Sequence, residues 1–393
     1  MILTVLLLLL LLIVVVEGSS GDRDYQYSYC LQQCHDHCSS SGNSINGHKE
    51  KYREAYHDIH YYHITSTSTT TTATNTISSI DIYSNIFNWP IWSCIDMCKY
   101  MCMHTITKNR IQLGYPIHKY YGHWPFIRYM GLEEPASVLF SMLNALPHVL
   151  FLTFTLSKSN ISNIIPSLSL SSYPSHYYMR PWLVLSSILA LLSWTSAIIF
   201  HSQKTALTSL IDYITAFIFI FYSFWIAIRR VWGGHANYYN VLLSFIVLLV
   251  LCSYRVVMMM IGDVTFDNHM RLSIGLAVAS VVIWVIWIFV ITKVEHNSYR
   301  RVSSSSPPPS SSSSYHRKWL CLWCQALFCF ASLLEIFDFP PYYGIFDAHS
   351  LWHASTVPIA FLWYHFWYRD SLEYIDHDDD DDNNNLHNQR KYK

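Results

Sequence analysis

Charged side chains are scarce in this 393-residue chain: Asp, Glu, Lys and Arg together make up 13% of it, against roughly 25% in an ordinary soluble domain. The composition is instead 52% hydrophobic and 16% aromatic, which excludes a soluble globular domain and leaves an integral membrane protein. Net basic charge is lacking too. At −1 the chain has no basic face with which to displace counterions from phosphates, so nucleic acid is excluded as a partner. Acidic and basic groups gather toward the ends of the apolar segments and form no mid-span relay, which argues against an ion transporter.

What is abundant is apolar sequence in membrane-length segments. Residues 1–16 run almost continuously through Leu, Ile and Val before Glu17-Gly18-Ser19-Ser20. Residues 1–18 are therefore expected to be a secretory signal peptide, although Lys and Arg are missing from its start; an uncleaved anchor is the alternative. Seven further apolar stretches lie near 136–156, 181–200, 210–228, 239–260, 272–292, 319–337 and 345–367. Each is long enough to cross roughly 30 Å of hydrocarbon as a helix. The expected fold is an all-α membrane protein: a seven-transmembrane helical bundle at 131–368, a cysteine-rich luminal region at 19–130 before it, and an acidic cytosolic tail at 369–393. Loop charge sets the orientation. Lys158, Arg180, Arg229, Arg230, Lys293, Arg300, Arg301, Arg317 and Lys318 follow the first, third and fifth stretches, while the opposite loops hold little beyond Lys204 and Arg271. The positive-inside rule then puts the N-terminal region in the lumen and the C-terminus in the cytosol.

Cysteine placement agrees with that orientation. Six of the ten precede the first stretch, as Cys30, Cys34 and Cys38 and then Cys94, Cys98 and Cys102. An even set behind a signal peptide implies about three disulfides in an oxidising compartment, with zinc binding by the thiols as the competing reading. The Ser/Thr tract at 65–72 reads as a surface insertion, the Ser/Pro segment at 303–314 as a disordered cytosolic linker, and the aspartates up to Asp382 as a solvated tail.

Histidine carries the chemistry. His349 and His353 are four residues apart, so on a helix they share a face one turn apart and can turn ring nitrogens toward one ion. On the topology above, His201 leaves the second stretch at the luminal side, Asp212 opens the third there, and the histidine pair opens the seventh. Glu134 precedes the first stretch at that face, and Glu335 and Asp338 close the sixth. His201, His349 and His353 are therefore the expected zinc ligands. Asp212 is the expected general base or orienting partner, and Glu134, Glu335 and Asp338 are supporting carboxylates. Three imidazoles leave a fourth position on zinc, the arrangement of a catalytic site able to hydrolyse an ester or amide. At the bilayer edge the substrate within reach is a lipid. A fourth ligand from Glu134 or Asp338 would instead mark a structural site.

These residues sit in recognisable motifs: the cysteine segment from Trp92 to Met103, Gly122-His123-Trp124-Pro125-Phe126, Glu134-Pro135-Ala136-Ser137, Phe200-His201 with Asp212-Tyr213, Asp338-Phe339-Pro340-Pro341, and Asp347-Ala348-His349 with Trp352-His353. Over about residues 22–375 the chain resembles the post-GPI-attachment-to-proteins factor 3 family. That family belongs to the CREST superfamily, with the alkaline ceramidases and the progestin and adiponectin receptors. The His-to-Asp spacing and the paired histidines are superfamily features; the cysteine segment, the Glu-Pro-Ala-Ser motif and the Asp-Phe-Pro-Pro turn point to the one family. The resemblance implies zinc-dependent removal of the sn-2 acyl chain from the phosphatidylinositol of GPI-anchored proteins, a phospholipase A2-type reaction. It implies residence in the endoplasmic reticulum membrane, with the Golgi membrane as the alternative. A ceramidase-like lipid amidase, and a non-catalytic seven-span receptor or chaperone with structural zinc, are the competing functions. One departure stands out. The family places Ser four residues before the histidine, where this chain has Ala197, and Ser196 is the neighbouring hydroxyl. One residue rotates a helical side chain by about 100°, so Ser196 is expected to serve as the catalytic hydroxyl only if the helix bulges.

Overall fold

Among the described residues, regular structure is helical, accompanied only by isolated β-bridges. The computed structural model describes residues 20–40, 92–156, 177–233, 236–262, 266–291 and 311–391. The expected signal peptide, the Ser/Thr tract and residues 303–310 of the linker lie outside them. Ser311 to Ser314, assigned above to the disordered linker, instead belong to the first turn of a helix.

The helices are α1 (Tyr25–Ser40), α2 (Cys94–Gln112), α3 (Pro135–Leu156), α4 (Arg180–Ser202), α5 (Ala206–Trp232), α6 (Tyr238–Met260), α7 (Phe266–Ile286), α8 (Ser311–Phe337) and α9 (Ala348–Lys391). A single π turn, Trp287–Ile291, extends α7. Neighbour packing closes a ring in the order α3, α4, α5, α7, α8, α9 and back to α3, with α6 outside it against α5.

The ring is organised as a bundle with an apolar exterior. On α3 the buried positions Ser137, Ser141, Asn144, His148, Phe151 and Thr155 recur at helical spacing, while Leu139, Met142, Leu143, Leu146 and Val149 are exposed. Polar groups inside and Leu or Val outside is the reverse of a soluble helix. It is what hydrocarbon demands, because inward polar groups can hydrogen-bond across helices and outward ones cannot. Asn144 illustrates this: its Nδ2 donates to the backbone carbonyl of His353 on α9 at 2.7 Å.

Among the described residues, six helices, α3 to α8, are long and apolar enough to cross a membrane, where seven spans were expected. α9 is the difference. Its first twenty residues include three histidines and three tryptophans interspersed with Ser and Thr, which lowers its hydropathy. Packing explains how such a sequence still belongs to the ring. α9 lies between α3 and α8, and from Asp347 to Leu372 only Pro358 is exposed. The helix runs on through the acidic segment to Lys391, with no Gly or Pro after Pro358 to stop it.

The cysteines build a helical hairpin. Cys30 pairs with Cys102, Cys34 with Cys98 and Cys38 with Cys94, with Cα separations of 5.7, 5.7 and 6.0 Å. Spacings of four place each triplet in one stripe, so two antiparallel helices match rung for rung. The sulfurs of Cys38, Cys94 and Cys98 crowd together because adjacent disulfides stack. Already paired, they supply no thiolates for zinc.

At the end of the bundle remote from this hairpin, Asp370 on α9 receives Arg230 Nε and Nη2 at 2.8 Å each, Arg317 Nη1 at 2.7 Å and the Tyr177 hydroxyl at 2.5 Å. Both guanidiniums lie over the Trp287 ring. The buried aromatic core of Trp225, Trp284, Trp287, Tyr364, Phe366 and Trp367 fills that half. The other end is left to histidine.

Candidate metal centre

Local sequence explains why His201 reaches the bundle axis. α4 ends at Ser202, and α5 restarts after three residues behind a capping box in which Thr205 and Thr208 satisfy each other's backbone N–H groups. This tight corner is strapped to the start of α3. Glu134 N–H donates to the His201 carbonyl at 2.9 Å, Glu133 N–H to the Ser202 carbonyl at 3.1 Å, and Lys204 N–H to Glu133 Oε2 at 3.0 Å. Glu134 is thereby attached to His201 twice, since its Oε2 also lies 2.5 Å from His201 Nδ1.

The sequence-predicted imidazoles converge. His353 Nε2 stands 3.2 Å from His201 Nε2 and 3.0 Å from His349 Nε2, and the three rings offer nitrogen atoms all within 4.8 Å of one another. On the far side of the rings, Glu134 accepts the Nδ1–H of His201 and Glu335 that of His349 at 2.6 Å. Those carboxylates fix the tautomers: each ring carries its proton on Nδ1 and points an Nε2 lone pair inward. Without an ion, His353 Nε2–H could satisfy only one of the two facing lone pairs. A single cation accepting all three resolves the arrangement, and a set of neutral imidazole nitrogens backed by carboxylates suits zinc. His353 differs from the other two, as its buried Nδ1 meets no polar partner and its ring is set by the Trp194 and Trp352 rings at 5.4 and 5.0 Å.

The supporting carboxylates divide. Glu134 and Glu335 stand behind ligand rings rather than among the Nε2 atoms. Asp338 is elsewhere: it ion-pairs with Lys119 and accepts Trp124 Nε1–H at 3.0 Å, with a backbone φ of 40°. Glu335, three residues earlier and still within α8, keeps its carboxylate on His349. The expectation that Asp338 supports the imidazoles is thus not met; the residue docks the segment after α2 onto the α8–α9 turn. Among the described residues, no fourth His, Cys, Asp or Glu joins the three-histidine group.

Ser196 faces Asp212 without any bulge, since α4 is regular from Arg180 to Ser202. Its Oγ lies 3.3 Å from Asp212 Oδ1, 2.5 Å from Thr215 Oγ1 and 2.8 Å from the Ser193 carbonyl. With one proton to donate, the hydroxyl is divided between its own helix and the carboxylate. Asp212 in turn interacts electrostatically with His349. Ala197 is buried as well, so Ser196 occupies the α5-facing position directly.

Several participants were not singled out from sequence. Lys204 ion-pairs with Glu134, and its ammonium lies 5.4 Å from the Phe200 ring. Burial alone would raise the Glu134 carboxyl, but the Lys204 ammonium and the His201 N–H together hold it well below the usual carboxylate range. The His123 ring packs edge-on to Phe200 at 6.2 Å; burial, with the Lys204 ammonium adding to it, holds its imidazole well below its usual range. His123 stands in the Gly-His-Trp-Pro motif, so a signal existed, whereas nothing marked Lys204 beyond its loop charge.

The site opens on one side. The His349 and Glu335 side chains are each 38% exposed, against 2% for His201. Elsewhere on α8, Phe330, Ile336 and Phe337 are exposed.

A sequence model of the Per1-like family matches residues 84–371, from just before the second cysteine triplet to just past Asp370. A Xenopus tropicalis protein named GPI-specific phospholipase A2-like PGAP3 is 31% identical over 290 residues, covering 73% of this chain and 80% of that protein. The Drosophila melanogaster protein named Post-GPI attachment to proteins factor 3 is 28% identical over 353 residues, covering 88% and 87%. The human protein named GPI-specific phospholipase A2-like PGAP3 is 27% identical over 356 residues, or 90% of each chain. No solved structure matches. With the second cysteine triplet, the histidine cluster and the Arg–Asp370 end all inside the matched region, the chain belongs to the Per1-like family.

Proposed function

We propose that this protein remodels GPI anchors as a zinc-dependent hydrolase, removing the sn-2 acyl chain from the phosphatidylinositol of GPI-anchored proteins. The observation that carries the reading is the convergence of three Nε2 atoms, two of them backed by carboxylates, with no fourth protein ligand among the described residues. His201, His349 and His353 would hold the ion. Bound there, zinc supplies a Lewis acid that polarises the ester carbonyl and acidifies water.

The chain's own groups supply the rest. Asp212 takes the proton of the attacking water at its carboxylate and passes it to the leaving glycerol oxygen, as a general base and then acid. Ser196, 3.3 Å from Asp212 Oδ1, fixes the rotamer of that carboxylate. Glu134 and Glu335 keep His201 and His349 in the tautomer that offers Nε2. The open edge at His349, where the His349 and Glu335 side chains are each 38% exposed, admits the acyl chain from the bilayer. Relatives named for action on GPI support the substrate class. Three disulfides support an oxidising compartment for the N-terminal hairpin, and hence a secretory-pathway membrane, endoplasmic reticulum first and Golgi second, with the C-terminus cytosolic.

The test is mass spectrometry of anchor lipids in cells lacking the native activity, complemented with wild type or His353→Ala. Loss of the sn-2 chain with wild type alone is the expected result. Equal rescue by both proteins removes His353 from the chemistry, and no rescue by wild type overturns the deacylase reading.

A further inference from the structure

Beside the disulfide hairpin a groove of about 380 Å³ lies between the start of α1 and Tyr121, lined by Asp22, Tyr27, Gln32, His35, Asp36 and Tyr121 among others. Nothing in the hydrolytic scheme uses it. Its walls are held firmly. α1 is fastened to α2 by three disulfides, Tyr121 N–H donates to Asp22 Oδ1 at 2.8 Å, and Gly21 N–H donates to the Lys119 carbonyl at 2.9 Å. Tyr27 packs on Tyr120 at 4.7 Å and reaches the Tyr121 hydroxyl at 3.3 Å.

The lining is specific in kind. Two carboxylates accept hydrogen bonds and attract a cation, an amide and an imidazole both donate and accept, and the half-exposed Tyr121 ring, with Lys99 Nζ 5.2 Å from its centroid, offers apolar surface. That mixture suits a polyhydroxylated ligand bearing an amine. A sugar's hydroxyls meet the carboxylates and the amide, and its C–H face lies on a ring. An ammonium meets Asp36 by a charge-assisted bond, since Asp22 Oδ1 already accepts the Tyr121 N–H and Lys99 lies over the Tyr121 ring. The volume falls in the range that holds a small ligand or a few sugar units.

Position narrows the ligand further. Tyr121 is two residues from His123, whose ring rests on Phe200, the chain neighbour of His201. One short segment therefore borders both the groove and the histidine cluster. We propose that the groove holds the glycan headgroup of the substrate, a short oligosaccharide carrying a free amine, while the lipid ester of the same molecule lies at the histidines. This rests on the GPI-lipid reading above and assigns the N-terminal hairpin the task of selecting glycosylated lipid over plain phosphatidylinositol.

The experiment uses the full-length protein in lipid nanodiscs and an acyl-free glucosaminyl-inositol oligosaccharide as probe, with binding followed by saturation-transfer NMR and titration calorimetry. Asp36 and Gln32 are exposed on α1, so Asp36→Asn and Gln32→Ala leave the hairpin folded. Wild type and His353→Ala are expected to bind the probe alike. Asp36→Asn should weaken binding by about tenfold, as for one lost charge-assisted bond, and Gln32→Ala by less. N-acetylation of the probe should weaken wild-type binding to a similar degree and leave Asp36→Asn little changed. In a deacylation assay Asp36→Asn should raise KM for the glycosylated lipid without changing kcat, and leave plain phosphatidylinositol unaffected. Absence of probe binding by wild type, or equal binding by Asp36→Asn, overturns the proposal. Because the binding readout involves no hydrolysis, failure of the deacylase reading appears separately, as glycan binding without release of fatty acid.

Discussion

Glu134 grips His201 at two points: its backbone N–H donates to the His201 carbonyl at 2.9 Å, and its carboxylate accepts the His201 Nδ1–H at 2.5 Å. One residue therefore fixes both the position and the tautomer of a candidate ligand. Lys204 completes the arrangement by neutralising the same carboxylate.

That relationship makes Glu134 a positioning residue with a measurable signature. Glu134→Gln retains the backbone contact and some hydrogen bonding while weakening the tautomer control, and it should lower zinc affinity by about 10- to 100-fold. Competition with a chromophoric chelator on the purified protein reads this directly. Unchanged affinity would mean that the His201 ring is held by packing alone.

Asp212 and Ser196 should separate from the metal in a different way. Asp212→Asn is expected to leave zinc content intact and reduce kcat by about 10²- to 10⁴-fold, the range for loss of a general base. Ser196→Ala should cost only about tenfold, because the hydroxyl divides its proton between Asp212 and the Ser193 carbonyl. Adding a hydroxyl by Ala197→Ser in the Ser196→Ala background should not restore the rate, since Ser196 already occupies the position facing Asp212. Full recovery in that double variant would transfer the role to position 197.

Much of this architecture was legible in the sequence, for identifiable reasons. The four-residue spacing of His349 and His353 and of both cysteine triplets translates directly into shared helix faces, and membrane-length runs mark α3 to α8. Disulfide connectivity was not legible, because six cysteines allow fifteen pairings and only the antiparallel course of α1 and α2 selects one. α9 read as an ordinary span, yet its His, Ser and Thr content keeps its hydropathy low, and its neighbours α3 and α8 shield that sequence. Asp338 was misplaced for a related reason. It shares the α8 terminus with Glu335, but the positive φ at Asp338 turns the chain, and its carboxylate goes to Lys119 and Trp124 instead of the histidines.

The α8–α9 turn meets the N-terminal segment at Gly344, where Ile127 N–H donates to the Gly344 carbonyl at 2.8 Å. Gly344 has φ +70°, and a Cβ there would stand 2.5 Å from Ile127 Cδ1. Gly344→Ala should therefore destabilise by about 1–3 kcal/mol and loosen the approach to His349, lowering zinc affinity as well. Gly344→Ala combined with Ile127→Ala removes the collision but keeps the backbone penalty. The double variant should recover part of the zinc affinity in the chelator assay. If Gly344→Ala melts at the wild-type temperature, the turn is not under this constraint.

At the other end of the bundle, Asp370 is the shared counter-ion of Arg230 and Arg317. Burial alone would push its carboxyl up, but Arg230, Arg317 and the Tyr177 hydroxyl bring it down to about 2. Removing the charge leaves two buried guanidiniums over the Trp287 ring without their counter-ion, so Asp370→Asn should cost about 3–5 kcal/mol. Zinc affinity of whatever folded protein remains should be unchanged, because His353 lies 17 residues, more than four helical turns, before Asp370 on α9. The folded pKa is below the unfolded value of about 3.9, so the stabilisation is fully present above about pH 4 and is lost as pH falls through about 2. Thermal unfolding of wild type and Asp370→Asn across that window should show the gap between them closing toward low pH. A gap that stays constant from pH 5 to pH 2 would show that the carboxylate's charge does not hold this end together.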